Sequence, residues 1–223
     1  MLYLYAIAES DDVPSTAGLR EQPLRAIGQE GMFAIASEHD ELRLEPNEDD
    51  MWSHESVVEE LMNAGSVLPM RFGSAVADEA TVRSLLGERR PALEQALDRV
   101  RGAVELSVRV AITADSDSRS DDVERDPNAG PGTAYLLGRL QRERHVHATT
   151  RRIDERLGPL ARASTAWSGG SRSLWKAAYL VSDDRVEAFT EEAELLDDQL
   201  SGTAVLCTGP WPPYSFSARG GQG

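Results

Sequence analysis

The chain has 223 residues, of which 40% are hydrophobic, so it can bury a core and is not wholly disordered. Its net charge of −15 argues against non-specific binding to nucleic acid or anionic lipid, which both favour clustered positive charge. The single cysteine, Cys207, excludes an internal disulfide and a cysteine-based zinc site, and no stretch approaches the ~20 apolar residues of a membrane span.

The first half of the chain predicts an α/β domain over residues 1–101. Its opening residues alternate as a strand does and lack the basic start of a secretory signal, so we expect a cytoplasmic protein. Pro69 marks an edge or terminal strand, and Pro91 should split or kink the last helix. The predicted elements are a strand at 2–8, a weak helix at 19–29, a strand at 32–37, a helix at 50–64, a strand at 66–72 and a helix at 78–101.

The second half shows a clearer pattern. Residues 102–113 alternate strictly, which predicts a half-buried strand with Leu106, Val108 and Val110 facing inward and Glu105 facing outward. Residues 114–130 have no apolar periodicity and predict a loop or linker. The remaining predicted elements are a long helix at 132–160, strands at 161–168 and 174–181 around a turn at 168–173, a helix at 183–200 and a strand at 203–207.

The order of these elements predicts an α+β fold with two domains. Residues 102–208 give β-α-β-β-α-β, the succession of ferredoxin-like folds, whereas the N-terminal half is a looser sheet-and-helix domain. Residues 209–223 follow as a tail rich in proline and aromatic residues, with no regular structure expected.

The sequence holds no recognisable catalytic or metal-binding set. There is no H-E-x-x-H motif, and His145 and His147 lie two residues apart, where helical geometry points them to different sides. We therefore expect the four histidines to be solvated polar residues, and we expect no metal, no cofactor and no small-molecule substrate. Cys207 lies in an apolar strand and predicts a buried structural thiol.

One alternative is an enzyme that binds an anion or a nucleotide. The segment at Gly132 begins a helix, whose free backbone amides can receive an anion, and Arg71 and Arg139 could assist. A glycine-proline helix start of purely structural purpose explains the same residues.

Two features favour protein–protein contacts instead. Residues 132–157 carry a net charge of +3 in an otherwise acidic chain, and the tail concentrates three aromatic residues. Arginines would steer association and aromatic rings would hold the partner, although the tail could equally staple the two domains together. The candidate contact residues are Arg142, Arg144, Arg151, Arg152, Trp211, Tyr214 and Phe216.

Arg71 lies between Met70 and Phe72, in the segment that follows the predicted edge strand. Apolar neighbours on both sides predict that its stem is half buried and that its guanidinium has a carboxylate or carbonyl partner.

Three segments together resemble the GvpL/GvpF family of gas vesicle proteins: V-L-P-M-R-F-G, P-G-T-A-Y-L-L and T-G-P-W-P-P-Y-S-F. The resemblance implies a fold of two α/β-type domains and a non-catalytic accessory or minor structural role in assembling gas vesicles. It further implies association with the gas vesicle, the shell protein and other accessory gas vesicle proteins as partners. The motif residues that carry it are Pro69, Arg71, Phe72, Gly73, Gly132, Tyr135, Gly209 and Pro210.

Overall fold

The structure is a computed structural model that describes residues 1–40, 47–112, 131–168 and 174–217, without the side chains at 112, 131–139, 141, 142, 168 and 174. The predicted loop at 114–130 and most of the predicted turn at 168–173 lie outside the described residues. The chain divides into two units, one formed by Met1–Glu105 with the segment from Pro210, the other by Leu106–Gly209. The elements are β1 (Leu2–Ala8), β2 (Leu24–Gln29), β3 (Met32–Glu38), α1 (Glu48–Ala64), β4 (Val67–Pro69), β5 (Ala75–Val76), α2 (Glu79–Val100), β6 (Ala103–Ile112), α3 (Pro131–Leu157), β7 (Ala163–Ser168), β8 (Leu174–Ser182), α4 (Val186–Gln199), β9 (Thr203–Trp211) and α5 (Tyr214–Ser217).

The mixed α+β class predicted from the sequence is confirmed, with one sheet in the order β2-β3-β1-β4 and a second in the order β7-β8-β6-β9. In the second unit the strands and helices follow each other as β6-α3-β7-β8-α4-β9, the predicted succession. The finer ferredoxin-like description rests on that succession and stays a prediction.

The helix predicted at 19–29 is wrong. Residues Leu24–Gln29 form a strand that pairs antiparallel with β3, and only a short 3-10 turn at Leu19–Glu21 is helical. The two strands are joined by Glu30 and Gly31, both with positive φ (51° and 82°). Such a two-residue turn matches the twist of paired strands, so the local hairpin geometry overrides the weak helical pattern.

Strand β1 is the central strand of the first sheet, and one of its edges is paired in two pieces. Its second half pairs antiparallel with β4 and its first residues with β5, which the sequence did not predict. Between the two pieces the chain makes a turn over residues Met70–Ser74. Backbone hydrogen bonds from Met70 N–H to Tyr5 O (2.8 Å) and from Leu4 N–H to Ser74 O (2.9 Å) fasten both ends of the turn to β1.

Helix α1 packs its buried face against this sheet. Asn47 caps its N-terminus by accepting a hydrogen bond from the Asp50 N–H (2.8 Å), and Gly65 ends the helix as predicted. Helix α2 continues through Pro91 without a break, so of the predicted split or kink the split is wrong. The core of the first unit is formed by Tyr3, Tyr5, Ala6, Ala8, Leu19, Ile35, Val57, Val58, Leu61 and Val67.

The second unit packs α3 and α4 against its sheet. The alternation predicted for β6 is confirmed for Leu106, Val108 and Val110, which join the core. The predicted outward position of Glu105 is wrong, because its side chain is buried, with only 7% exposure. The other buried core residues are Ile153, Leu157, Ala177, Tyr179, Val181, Phe189, Ala193, Leu196 and Val205.

The C-terminal segment is more regular than predicted. Strand β9 runs on to Trp211, so Gly209 and Pro210 are strand residues, and a single helical turn follows at Tyr214–Ser217. Pro212 and Pro213 are buried between these two elements. Prolines fit here because they occupy strand ends and the start of a helical turn, where no backbone donor is lost.

Candidate functional site

His54 lies at the centre of a buried cluster in the first unit and is 1% exposed. Its Nε2 lies 3.0 Å from the carbonyl oxygen of Met70, and its Nδ1 lies 2.9 Å from the hydroxyl of Tyr3. Because a carbonyl can only accept, Nε2 carries the proton and Nδ1 accepts from the Tyr3 O–H. Burial lowers the pKa of His54 to about 4, although the bond to Met70 opposes this. The ring is therefore neutral at pH 7 and uses both nitrogens.

The same network fixes the turn at Met70–Ser74. The Tyr3 hydroxyl accepts a hydrogen bond from the Gly73 N–H (3.2 Å) while it donates to His54. Gly73 has φ of +88°, a conformation that other residues adopt only with strain. The Ser74 N–H closes the turn on the Arg71 carbonyl (3.1 Å). Met70 and Gly73 of the V-L-P-M-R-F-G segment are thus held by His54, Tyr3 and the edge of β1.

Aromatic rings enclose His54. Tyr5 is stacked on it with 5.6 Å between ring centroids, and Tyr214 is stacked with 6.4 Å. Phe72 meets the imidazole edge-on, with 5.9 Å between ring centroids, and it also meets the ring of Tyr3 edge-on, with 6.2 Å between centroids. These geometries are the ones that aromatic rings favour, and they exclude water from the imidazole.

A second polar chain runs from Tyr5. Its hydroxyl accepts from the Leu19 N–H (2.7 Å) and lies 2.8 Å from Ser37 Oγ, which lies 2.9 Å from His39 Nε2. His39 is 7% exposed, and burial lowers its pKa, with the charge of Arg20 acting in the same direction. These bonds satisfy polar groups that burial would otherwise leave unpaired.

The C-terminal segment joins this cluster. Glu105 accepts hydrogen bonds from both the N–H and the hydroxyl of Ser215 (2.8 Å each). Burial raises the pKa of Glu105, although the two bonds from Ser215 oppose the rise. Phe216 is buried. The segment is therefore anchored within the first unit.

Tyr214 brings a hydroxyl beside the carboxyl of Glu55. The described residues offer this buried hydroxyl no acceptor in good hydrogen-bonding geometry. Burial raises the pKa of Tyr214, and the nearby charge of Glu55 raises it further. Burial also raises the pKa of Glu55 itself.

The polar groups of His54 and Tyr3 in this cluster are occupied by hydrogen bonds within the fold. Both nitrogens of His54 are occupied, and burial raises the pKa of Tyr3, so neither group is ready to transfer a proton at neutral pH. Cys207 is half-buried rather than buried as predicted, and burial raises its pKa to about 11, which makes it a poor nucleophile. Across residues 1–40, 47–112, 131–168 and 174–217, no three histidine, cysteine or acidic side chains are grouped as metal ligands. Nor is any helix in those ranges long and apolar enough to cross a membrane.

Several predicted site residues need correction. Arg71 is exposed rather than half buried, and its guanidinium has no ion pair or hydrogen bond with any described residue. The turn points it outward because the adjacent backbone is tied to Tyr3 and His54. The expectation that all histidines are solvated is wrong for His54 and His39, whereas His145 and His147 are exposed as predicted.

The candidate contact residues divide into two groups. Tyr214 and Phe216 pack within the first unit. Trp211 is 43% exposed. On α3, Arg144, Arg151 and Arg152 are exposed. The side chains of Gly132, Tyr135, Arg139 and Arg142 lie outside the described residues, as does the local geometry of the alternative anion site.

Sequence reasoning missed His54, Tyr3 and Glu105 as parts of one cluster. The spacing of His54, Val58 and Leu61 was the available signal, since these three positions share the buried face of a helix. No local signal links Glu105 to Ser215, which lie 110 residues apart.

Comparisons with known proteins identify the family. Residues 1–218 match the family described as "Gas vesicle synthesis protein GvpL/GvpF". A "Gas vesicle protein F" of Streptomyces sp. (strain CB03234) is 30% identical, with 96% of this chain and 98% of the relative covered. A "Gas vesicle protein F1" of Halobacterium salinarum is 25% identical over 96% and 92% of the two chains.

Solved structures share the fold. The crystal structure of the gas vesicle protein GvpF from Anabaena sp. PCC7120 matches with a TM-score of 0.82 at 23% identity, covering 97% of this chain and 98% of the other. GvpF from Microcystis aeruginosa matches with a TM-score of 0.79 at 19% identity, again over 97% and 98%. Together with the family match over nearly the whole sequence, these likenesses show that the chain belongs to the GvpL/GvpF family of gas vesicle proteins.

Proposed function

We propose that this chain is a non-catalytic accessory or minor structural protein of gas vesicle assembly. The observation that carries the proposal is the family match over residues 1–218, which supports a role in gas vesicles. Its implied partners are the small hydrophobic shell protein and other accessory gas vesicle proteins, and its implied location is the cytoplasm, on or near the gas vesicle.

The buried cluster supports a binding role over a catalytic one. Its polar groups form hydrogen bonds that hold a turn and the C-terminal segment in place. A rigid scaffold suits a protein that presents a surface, because preorganised contact residues lose little entropy on binding.

Two exposed features are the proposed contact residues. Trp211 can supply apolar contact area, and aromatic anchors dominate the energetics of interfaces. Arg144, Arg151 and Arg152 can steer an acidic partner, because exposed charges change association rates more than affinity. Arg142 belongs to the same basic stretch of the sequence.

Co-purification tests the proposal. The tagged chain would be co-expressed with the shell protein, purified and cross-linked, with Trp211→Ala as the variant and Trp167→Ala as the matched control. Trp167 has a similar exposure of 48%. We expect the shell protein to co-purify with the wild type and the control but less with Trp211→Ala. Absence of the shell protein from the purified wild-type sample would contradict the proposed contact with the shell protein.

A further inference from the structure

Helix α1 exposes a tryptophan with no role in the cluster described above. Trp52 is 71% exposed, more than any other large hydrophobic side chain among the described residues, and its neighbour Met51 is 48% exposed. A tryptophan carries a large apolar area, so leaving it in water forgoes burial that most folded chains obtain.

The helix geometry keeps Trp52 on the surface. Nine residues separate Trp52 from buried Leu61, which places them ~180° apart around an α-helix. The cap at Asn47 and the two bonds of His54 fix the rotation of the helix about its axis. Trp52 therefore cannot reach the core unless the buried face of α1 is lost.

Carboxylates surround this tryptophan. By helical spacing Glu48, Asp49 and Glu55 lie one turn from Trp52, and Glu59 lies two turns along the same side. The helix contains six acidic residues and neither lysine nor arginine. Glu48, Asp49 and Glu59 are exposed, and none of the ion pairs among the described residues involves them.

The other two acidic residues of α1 are used within the chain. Asp50 is buried beside Arg20, with 3.8 Å between its carboxylate and the guanidinium. Glu60 accepts hydrogen bonds from Ser15 and Thr16. Glu55 is half-buried beside the Tyr214 hydroxyl, so Glu48, Asp49 and Glu59 are the acidic residues of α1 that face outward near Trp52.

We propose that this surface, the Trp52 face (Glu48, Asp49, Met51, Trp52 and Glu59), binds a basic amphipathic segment of a partner protein. An arginine or lysine over the indole would form a cation–π contact, and the carboxylates would pair with its neighbours. Apolar residues of the segment would cover Met51 and the rest of the indole. Charge complementarity selects this occupant over a second copy of the chain, because two molecules with a net charge of −15 repel each other.

The inference deepens the proposed function by naming a class of partner, and it can fail separately. A short helical peptide of lysine and leucine, labelled with a fluorophore, serves as the probe. Binding is measured by fluorescence anisotropy on the full chain, on Trp52→Ala and on the control Trp167→Ala. Because Trp52 is largely exposed, we expect an unchanged melting temperature and about tenfold weaker binding for Trp52→Ala alone.

Two double variants, each lacking two acidic residues, distinguish binding at the Trp52 face from attraction to the net negative charge of the chain. Glu48→Gln with Glu59→Gln should slow association and flatten its salt dependence. Glu187→Gln with Glu191→Gln removes two exposed acids from α4. This control should change the association rate and its salt dependence only slightly. These results would support the Trp52 face as the site.

Three outcomes would overturn the inference. One is failure of the wild type to bind the peptide, and another is equal binding by all variants, which would show attraction to net charge alone. A homodimer of the wild type that Trp52→Ala converts to monomer would assign the face to a second copy. The peptide assay does not measure gas vesicle formation. A negative result would therefore overturn this inference without contradicting the proposed function, which the co-purification experiment tests.

Discussion

At the scale of single residues, His54 shows how a titratable side chain can serve packing. A neutral imidazole can donate from one nitrogen and accept at the other, and His54 does both while four aromatic rings enclose it. No apolar residue would satisfy the Met70 carbonyl, and no charged residue would tolerate the burial.

Truncating this histidine should destabilise the fold. His54→Ala leaves the Tyr3 hydroxyl and the Met70 carbonyl without their partner and opens a cavity, so we expect a loss of about 3 kcal/mol in the free energy of unfolding. Urea denaturation measures it. His145→Ala, at an exposed position, should change stability by less than about 0.5 kcal/mol. Equal midpoints for the two variants would contradict the buried cluster.

The same histidine predicts a pH dependence. Its pKa falls from 6.5 when unfolded to about 4 when folded, so the unfolded chain binds more protons between these values. Stability from His54 is therefore full above pH 6.5 and is lost as the pH falls towards 4, by about 3 kcal/mol. The difference in unfolding free energy between wild type and His54→Gln should shrink over that range. A constant difference would show that His54 does not titrate in this way.

Truncating Arg71 should have little effect on stability, in contrast to truncating His54. Because its side chain is exposed and makes no ion pair or hydrogen bond with the described residues, Arg71→Ala should change the free energy of unfolding by less than about 0.5 kcal/mol. Phe72→Ala, one residue further, should cost more, because Phe72 packs on Tyr3 and His54. Calorimetry of both variants measures these changes. A large loss of stability in Arg71→Ala would support the original prediction that the Arg71 side chain is half buried.

At the scale of elements, the C-terminal segment joins a strand to a helical turn and ends on a buried ring. Phe216→Ala should cost about 3 kcal/mol, whereas Trp211→Ala should cost less because Trp211 is 43% exposed. Thermal unfolding measures both. If Trp211→Ala is the more destabilising change and leaves partner binding intact, Trp211 staples the fold as well and the binding surface lies elsewhere.

The basic helix α3 predicts a kinetic effect. Replacing Arg142, Arg144, Arg151 and Arg152 with Gln should slow association with a gas vesicle partner and weaken its dependence on salt. Exposed ion pairs contribute only ~0–1 kcal/mol each, so the dissociation rate should change less. Stopped-flow or surface-based kinetics at two salt concentrations would check this, and an unchanged association rate would contradict the steering role.

At the scale of the whole molecule, the sequence predicted what local periodicity encodes. The alternation in β6 and the apolar stripes of the helices identified most elements, because one buried face leaves a regular pattern. It mispredicted Leu24–Gln29, where the Glu30–Gly31 turn sets the structure, and it missed the short strand Ala75–Val76.

The candidate site was harder to predict than the fold. Its contacts join residues far apart in the chain, such as Tyr3 to Gly73 and Glu105 to Ser215. Each partner alone looks ordinary: a tyrosine in a strand, an acid at an outward position, a serine among prolines. The motif with Arg71 was noticed, but its side chain points outward because of bonds that the backbone of its neighbours makes.

Complementation of gas vesicle formation tests whether this chain acts in gas vesicle assembly. A host carrying every other gas vesicle gene would express either no copy of this chain, the wild type, or a folded Trp211→Ala variant, and gas vesicles would be counted by electron microscopy. We expect vesicles with the wild type, none or far fewer without the chain, and a reduced number with the variant. Equal numbers of vesicles with and without the chain would contradict a role in assembly.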